Sequence, residues 1–351
     1  MNDENNPLIS IIILNYNAGD LLIDCVESIL RTKYENIEVI VVDNNSKDNS
    51  HNKCKKKFNE ILLIQNTENL GFCEGNNVGI RAAKGEYVTI INPDTIVTDS
   101  WITEFLNAYK KNGDGIYQPK IISLEDKRTI LSTGNEIHLF GFGFAKNKGN
   151  KTVEETKDIE DITYASGTCI FTKKTLLEKI GMFDPFLFLY HDDLDLSWRS
   201  SMLNINSFYV PTVTILHKES YNFKWSSKKF FWLERNRKYC ILTHYSKNTQ
   251  KKISLELFLT DILVWGLYFV KGFLWVKIKA ELDILKNKNK IEKRYAEIEK
   301  TKKISDTEII KKFSDEIWIP KDISNEIGSK LFNKILKKLS NNARKKLGNI
   351  N

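Results

Sequence analysis

The sequence predicts an α/β domain, a mixed and mainly parallel sheet covered by helices, followed by a helical, basic C-terminal region. Three observations carry this. Four apolar runs, at residues 9–14, 37–42, 61–65 and 87–91, alternate with helix-patterned segments. These runs are apolar on both faces, as in parallel strands buried on both sides. The charge then shifts: residues 271–351 hold 21 Lys/Arg against 11 Asp/Glu, whereas the first 270 hold 32 against 34.

Each element follows from its pattern. The first strand, 9–14, ends in Asn15-Tyr16-Asn17. Residues 21–30 place Leu22, Cys25, Val26, Ile29 and Leu30 on one helical face, with Asp20 as the expected cap. The second strand, 37–42, ends at Asp43-Asn44-Asn45-Ser46, and a polar helix covers 48–59. The third, 61–65, leads to Asn69-Leu70-Gly71 and a helix over 76–83. The fourth, 87–91, ends at Asn92-Pro93-Asp94. A helix at 102–109 precedes short strands and loops. Among these, the aromatic–glycine run from Phe140 to Phe144 either borders an acceptor pocket or is a β-turn with packed rings. Residues 162–171 are strand-like around a Ser166-Gly167 break. A short helix at 174–180 stops at Gly181, and a strand at 207–216 precedes His217.

With 351 residues the chain can form two domains, or one with appendages. Five scattered cysteines form no close pair and leave one over, which excludes a disulfide scaffold or zinc ribbon and suits a reducing compartment. The polar residues 1–7 lack an apolar h-region, so no secretory signal is expected. Neither the P-loop nor the dinucleotide glycine fingerprint is present, and Gly71, Gly75 and Gly79, spaced by fours, match neither. A bound phosphate would need another holder, and a divalent metal is the natural one.

Ligands bind at the carboxyl ends of strands in such sheets. Here four successive ends are polar, and two carry an Asp. The densest segment is FDPFLFLYHDDLDLSWR, residues 183–199. Asp195 and Arg199 are spaced to pair on a helix. Asp192 and Asp193 then fall at the helix start, where they either cap the helix or act as a buried-edge general base. His217, if it meets Asp94, would supply the nitrogen of a mixed N/O site for Mn²⁺ or Mg²⁺.

Six short motifs occur in order. They are Ser10-Ile11-Ile12-Ile13-Leu14-Asn15-Tyr16-Asn17, Val41-Val42-Asp43-Asn44-Asn45-Ser46, Asn69-Leu70-Gly71-Phe72 with Asn76-Asn77, Asn92-Pro93-Asp94-Thr95, Ala165-Ser166-Gly167-Thr168 and Asp192-Asp193-Leu194-Asp195-Leu196 with Arg199. Together they resemble glycosyltransferase family 2, and most nearly its rhamnosyltransferase-like branch, over roughly residues 8–240. The resemblance implies a GT-A (Rossmann-like) fold and an inverting glycosyltransferase, hexosyl- or rhamnosyl-type, using a nucleotide-diphosphate sugar and a divalent metal. It implies that Asn15, Tyr16, Asn17, Asp43 and Asn44 hold the base and ribose, with Gly71, Phe72, Asn76 and Asn92 along the donor. Ser166 and Gly167 would lie on the acceptor side. Asp94 and His217 would be the metal ligands (Mn²⁺ or Mg²⁺), and Asp193, or its neighbour Asp192, the base. Departures are Cys73-Glu74 where small residues are usual, His191 before the acid pair, and Asn92 in place of the metal motif's first Asp.

Residues 257–276 are the most apolar stretch, yet contain Asp261 and Lys271. This favours a segment lying in the membrane interface over a spanning one, with Trp265, Tyr268 and Trp275 in that layer. A packing helix or homodimer interface is the competing reading. A charged helix is expected over 277–303. The expected organisation is a catalytic domain at 1–240 and a helical basic region at 241–351. The whole reads as a peripheral enzyme of polysaccharide biosynthesis on the cytoplasmic face of the membrane, taking a glycan or lipid-linked acceptor beside an anionic surface. The alternative is a non-catalytic sugar-nucleotide- or glycan-binding module, although such a module needs no base. Nucleic acid is not an expected partner, because the tail is Lys with Ile and Leu rather than interleaved aromatic and basic residues.

Overall fold

The computed structural model describes residues 6–152, 158–219, 226–320 and 323–348. Most of the polar N-terminal stretch read as lacking a leader, residues 1–5, lies outside the described residues. The chain forms two compact units. The first comprises residues 1–135, 145–200 and 205–221, and the second residues 136–144, 201–204 and 222–351.

In chain order the elements are β1 (Ile9–Asn15), α1 (Asp20–Leu30), β2 (Ile37–Asp43), α2 (Ser50–Lys57), β3 (Leu62–Gln65), α3 (Gly71–Ala82), β4 (Tyr87–Ile91) and β5 (Thr95–Val97). Next come α4 (Trp101–Asn112), β6 (Gly115–Ser123), β7 (Ile130–Ser132) and the two-stranded ribbon β8 (Asn135–Ile137) and β9 (Gly143–Ala145). The first unit closes with β10 (Glu160–Ile162), β11 (Cys169–Lys173), α5 (Lys174–Ile180), α6 (Asp192–Met202) and β12 (Asn206–His217). The main sheet runs β10-β12-β6-β11-β4-β1-β2-β3, with β5 on β12 and β7 on β6. Strands β3, β2, β1 and β4 are mutually parallel, and β11 joins β4 antiparallel.

Register brings the functional ends together. Asn15 pairs with Asp43 at the ends of β1 and β2, and Ile13 with Ile91 at the end of β4. Cys169 pairs with Ile91, so the loop before β11 reaches the same edge. His217 pairs with Thr95, next to Asp94. This edge is fixed by a dry core: Ile9, Ile11, Ile12 and Ile13 are completely buried, each worth about 1.5–3 kcal/mol of apolar burial.

Two local expectations are corrected. Gly19, at φ +59°, is the N-cap of α1 and Asp20 is already helical without a capping bond. Helix α3 begins at Gly71 rather than residue 76. Of its glycines spaced by fours, Gly71 packs on Phe188 and the other two lie against β1: a Cβ on Gly75 would come within 2.5 Å of Leu14, and one on Gly79 within 2.4 Å of Ile12. Close packing, not phosphate binding, accounts for that spacing.

The second unit holds α7 (Ser227–His244), α8 (Lys247–Lys252), α9 (Ser254–Val270), α10 (Leu274–Lys286), α11 (Lys288–Thr301), α12 (Asp306–Lys311) and α13 (Glu326–Leu347). Its start precedes residue 240 because α7 packs on α10 and α11. The apolar stretch 257–276 is broken at Gly272, φ +73°, so it is two helices. Of the three aromatics expected in an interfacial layer only Trp275 is exposed. Tyr268 is buried, its hydroxyl donating to the Phe230 carbonyl at 2.7 Å, and Trp265 is half-buried with the Lys277 Nζ 5.4 Å from its ring centre. The charged segment after residue 276 is likewise split, at Asn287. The aromatic–glycine run is a packed turn: Gly141 sits at φ +78°, and the His138 ring lies 5.2 Å from Phe140 and 5.7 Å from Phe142. Among the described residues no helix is long and apolar enough to cross a membrane, and all five cysteines are free and buried.

Candidate functional site

At the ends of β1 and β2 a buried polar network forms. Asn15 is fully buried, and its Nδ2 donates to Asp43 Oδ1 at 2.7 Å and Ser50 Oγ at 2.8 Å, with Ser46 Oγ 3.1 Å away. The Ser46 amide donates to Asp43 Oδ2 at 3.0 Å, and His51 Nδ1 lies 3.3 Å from Asp43 Oδ1. Asn15 therefore orients Asp43 from behind. Tyr16 is exposed at the rim. Asn17, at φ +54°, donates its amide to Ser46 Oγ and accepts from the Lys47 amide.

Asn44 braces the next turn, its Nδ2 donating to the Gly71 carbonyl at 2.8 Å. Asn76, also fully buried, donates to the Phe72 carbonyl at 2.9 Å and leaves its Oδ1 without a hydrogen-bond partner. The Glu74 carboxylate, a bulky departure in the motif, turns along α3 to Arg81 and Asn77. Asn77 spans to the next segment, exchanging bonds of 2.9 and 3.0 Å with the Phe183 backbone.

That segment leads into the acid pair under backbone strain. Phe188, Tyr190 and His191 sit at φ +64°, +65° and +60°, a region costing non-glycine residues about 1–3 kcal/mol each. The Phe72 amide donates to the Phe188 carbonyl at 2.7 Å, and Gly71, at φ +77°, packs where a Cβ would meet that same oxygen at 2.6 Å. Asp192 and Asp193 open α6, as expected. Asp195 and Arg199 are a buried pair, with Arg199 Nε 2.9 Å from Asp195 Oδ2 and its other nitrogens on the carbonyls of Ile180 and Met182 at 2.7 Å. The pair thereby anchors the helix that presents the other two acids.

The acids differ. Asp193 Oδ2 accepts from the Gly167 amide at 2.9 Å, and its Oδ1 accepts from the Leu194 amide at 2.8 Å. Asp192 is buried, and a Cβ on Gly167 would lie 3.3 Å from both its Oδ2 and the Phe72 ring. Burial raises both carboxyls above the usual carboxylate range, Asp192 well above it because the Asp193 charge adds to desolvation. The two backbone amides oppose this at Asp193. Of the two, Asp193 carries the hydrogen bonds that favour its carboxylate form.

At the other side, Asp94 Oδ1 is buried, has no hydrogen-bond partner and lies 3.3 Å from His217 Nε2. The Lys218 amide holds the Asp94 carbonyl at 2.9 Å. Asn92 accepts from Thr95 Oγ1 through its carbonyl, and its amide donates to the Thr168 carbonyl at 3.0 Å. The loop 166–168 therefore links the two sides, bonding Asn92 through Thr168 and Asp193 through Gly167. Ser166 is set in turn by its amide donating to Gln118 Oε1 at 2.8 Å.

Ser50, His51 and Gln118 were not anticipated from sequence. A lone Gln inside the apolar strand β6 was the one local signal, and the others are ordinary turn and helix-start residues.

Residues 10–181 match the family model of glycosyl transferase family 2. The chain is 39% identical over 113 residues to "Glycosyltransferase GlyG" of Streptococcus pneumoniae serotype 4, covering 31% of this chain and 38% of that protein. It is 26% identical over 220 residues to "Low-salt glycan biosynthesis hexosyltransferase Agl10" of Haloferax volcanii, covering 60% and 67%. The match thus spans little more than a third of the first relative's length. Among solved structures, GalNAc-T7 with UDP, GalNAc and Mn²⁺ superimposes with a TM-score of 0.59 at 14% identity, covering 80% of this chain and 55% of that one. The fold is GT-A-like, with a mixed sheet and covering helices.

Proposed function

We propose that this chain is an inverting glycosyltransferase of the rhamnosyltransferase-like branch of family 2, moving a hexosyl or rhamnosyl group from a nucleotide-diphosphate donor to a hydroxyl of a glycan or lipid-linked acceptor. The family match over residues 10–181 supports the class. The observation that carries the chemistry is the single sheet edge shared by Asp43, Asp94, His217 and Asp193.

Asp43, fixed by Asn15, faces the base and ribose, with Tyr16 at the rim. Gly71, Phe72, Asn76 and Asn92 border the rest of the donor. The buried, unpartnered Asp94 Oδ1 beside His217 Nε2 fits a divalent cation, Mn²⁺ or Mg²⁺. When bound, that ion supplies positive charge at the leaving diphosphate. Asp193 takes the proton from the acceptor hydroxyl. The hydroxyl oxygen bonds to the anomeric carbon from the face opposite the leaving group, the bond from that carbon to the diphosphate oxygen breaks, and nucleoside diphosphate departs. The Gly167 and Leu194 amides favour the carboxylate form of Asp193 and leave lone pairs for the proton. Ser166 and Gly167 flank the acceptor. The reading also places the enzyme peripherally on an anionic, cytoplasmic membrane face in polysaccharide biosynthesis, with a homodimer the competing use of its apolar surface.

Asp193→Asn should keep donor affinity while lowering turnover by about 10²–10⁴-fold. If Asp192→Asn alone behaves this way, the base is Asp192. If neither variant slows transfer, the catalytic reading of the pair fails.

A further inference from the structure

We infer that the outward faces of α9 and α10 form one lipid-contact surface that lies flat in the interface of an anionic bilayer. This rests on the membrane placement proposed above and is independent of the transfer chemistry.

The apolar residues of α9 divide cleanly by face. Leu255, Phe258, Leu259, Ile262, Phe269 and Val270 are exposed, Phe258 to 62%, Phe269 to 69% and Val270 to 79%. Counted from Leu255 they recur at 3, 4, 7, 14 and 15, with the exposed Gly266 filling position 11. That is a single stripe along the whole helix, roughly 25 Å long. On α10, Leu274, Trp275, Leu282 and Leu285 are also exposed. Scattered exposed apolar residues need no explanation, but a continuous stripe of large ones marks an interaction surface.

The charges are sorted with equal clarity. Every carboxylate of the two helices is held by a cation of the same unit. Glu256 pairs with Lys346 at 2.8 Å, Asp261 with Lys277 at 2.7 Å, Glu281 with Lys277 at 2.6 Å and Asp283 with Arg235 at 3.5 Å. Lys277 is itself completely buried. What remains outward is apolar surface and lysine: Lys251 and Lys252 just before α9, and Lys279 and Lys286 on α10. Lys279 Nζ lies 5.9 Å from the Trp275 ring centre, the pairing of an interfacial aromatic with a snorkelling cation.

This charge pattern selects the occupant. A second copy packed parallel through the stripe would set each lysine cluster on itself. Packed antiparallel, it would bring to Lys251 and Lys252 no carboxylate of α9 or α10 that is not already held by a cation. Neither arrangement satisfies the lysines. An anionic lipid surface satisfies both ends and takes up the stripe.

The test is sedimentation of the full chain with vesicles of phosphatidylcholine alone, or with a third phosphatidylglycerol, at low and high salt. Binding should need the anionic lipid and weaken at high salt without vanishing, because insertion of the stripe is not screened. Phe258→Glu with Phe269→Glu should lower the bound fraction at least tenfold. The buried-face control Tyr268→Phe should not. Nucleotide-sugar binding should survive in all variants, since the stripe lies outside the donor-binding unit. No vesicle binding by the wild type at low salt overturns the proposal. So does a concentration-dependent dimer, in sedimentation velocity, that the Glu pair splits while vesicle binding is unchanged. Wild-type vesicle binding without any transfer activity leaves this surface standing and removes the enzymatic reading instead.

Discussion

Gly71→Ala tests how the strained loop before the acid pair is held. Gly71 sits at φ +77°, and a Cβ there would lie 2.6 Å from both the Phe188 carbonyl oxygen and its ring Cδ2. The backbone strain costs about 1–2 kcal/mol. The oxygen belongs to backbone and cannot rotate away, so overpacking adds about 1–3 kcal/mol. Separation of α3 from Phe188 would also lose the 2.7 Å bond from the Phe72 amide, about 1 kcal/mol. Gly149→Ala is the matched control: its φ is +85° and its Cβ would meet nothing within 4 Å, so it carries the strain alone. The difference, about 2–4 kcal/mol, corresponds to about 4–16 °C in melting temperature for a unit of this size. Gly71→Ala should also lose turnover, because Phe188 to His191 leads directly into Asp192 and Asp193. Gly149→Ala should keep it. Equal melting temperatures for the two variants, or full turnover in Gly71→Ala, would refute this account of the loop.

Two further perturbations follow from buried charge. Burial holds the Asp192 carboxyl well above its ordinary 3.8, so the folded chain binds more protons than the unfolded one in the window above that value. Stability from this group is complete below 3.8 and is lost as pH rises through the folded value. Asp192→Asn should flatten that decline in urea-unfolding midpoints and be the more stable protein at pH 7; parallel pH curves would contradict it. Lys277→Met leaves Glu234, Asp261 and Glu281 without the ammonium that binds them at 2.5–2.7 Å. Breaking one partner of such a buried cluster should cost about 3–5 kcal/mol, and a loss under 1 kcal/mol would show the network to be dispensable.

The strands and their polar ends were legible because parallel strands buried on both faces announce themselves as unbroken Ile/Val runs, with polar residues where each run stops. The acid pair and the Asp195–Arg199 bond were equally local, fixed by spacing along one helix. The start of α3 was not, since Gly-Phe-Cys-Glu-Gly-Asn is poor helical sequence, and what holds it is tertiary: Gly71 packs on Phe188 and Gly75 on Leu14. The meeting of Asp94 with His217 depends on β5 pairing with β12 across more than a hundred residues, which no local pattern encodes. Nor could the run at 257–276 say which face was inward: it is apolar all round, and the buried Lys277 and its three carboxylates decide that.

The most direct test of the central claim is donor binding by the full chain, read as thermal stabilisation across a panel of nucleotide-diphosphate sugars with Mn²⁺ or with chelator. At a hundredfold excess over Kd a ligand adds about 2.7 kcal/mol, or about 5–10 °C here. At least one donor should stabilise the wild type in Mn²⁺, and Asp94→Ala should abolish that shift. A donor shift undiminished in excess chelator, or undiminished in Asp94→Ala, would contradict the Asp94–His217 metal site; no shift with any donor would contradict the glycosyltransferase reading itself.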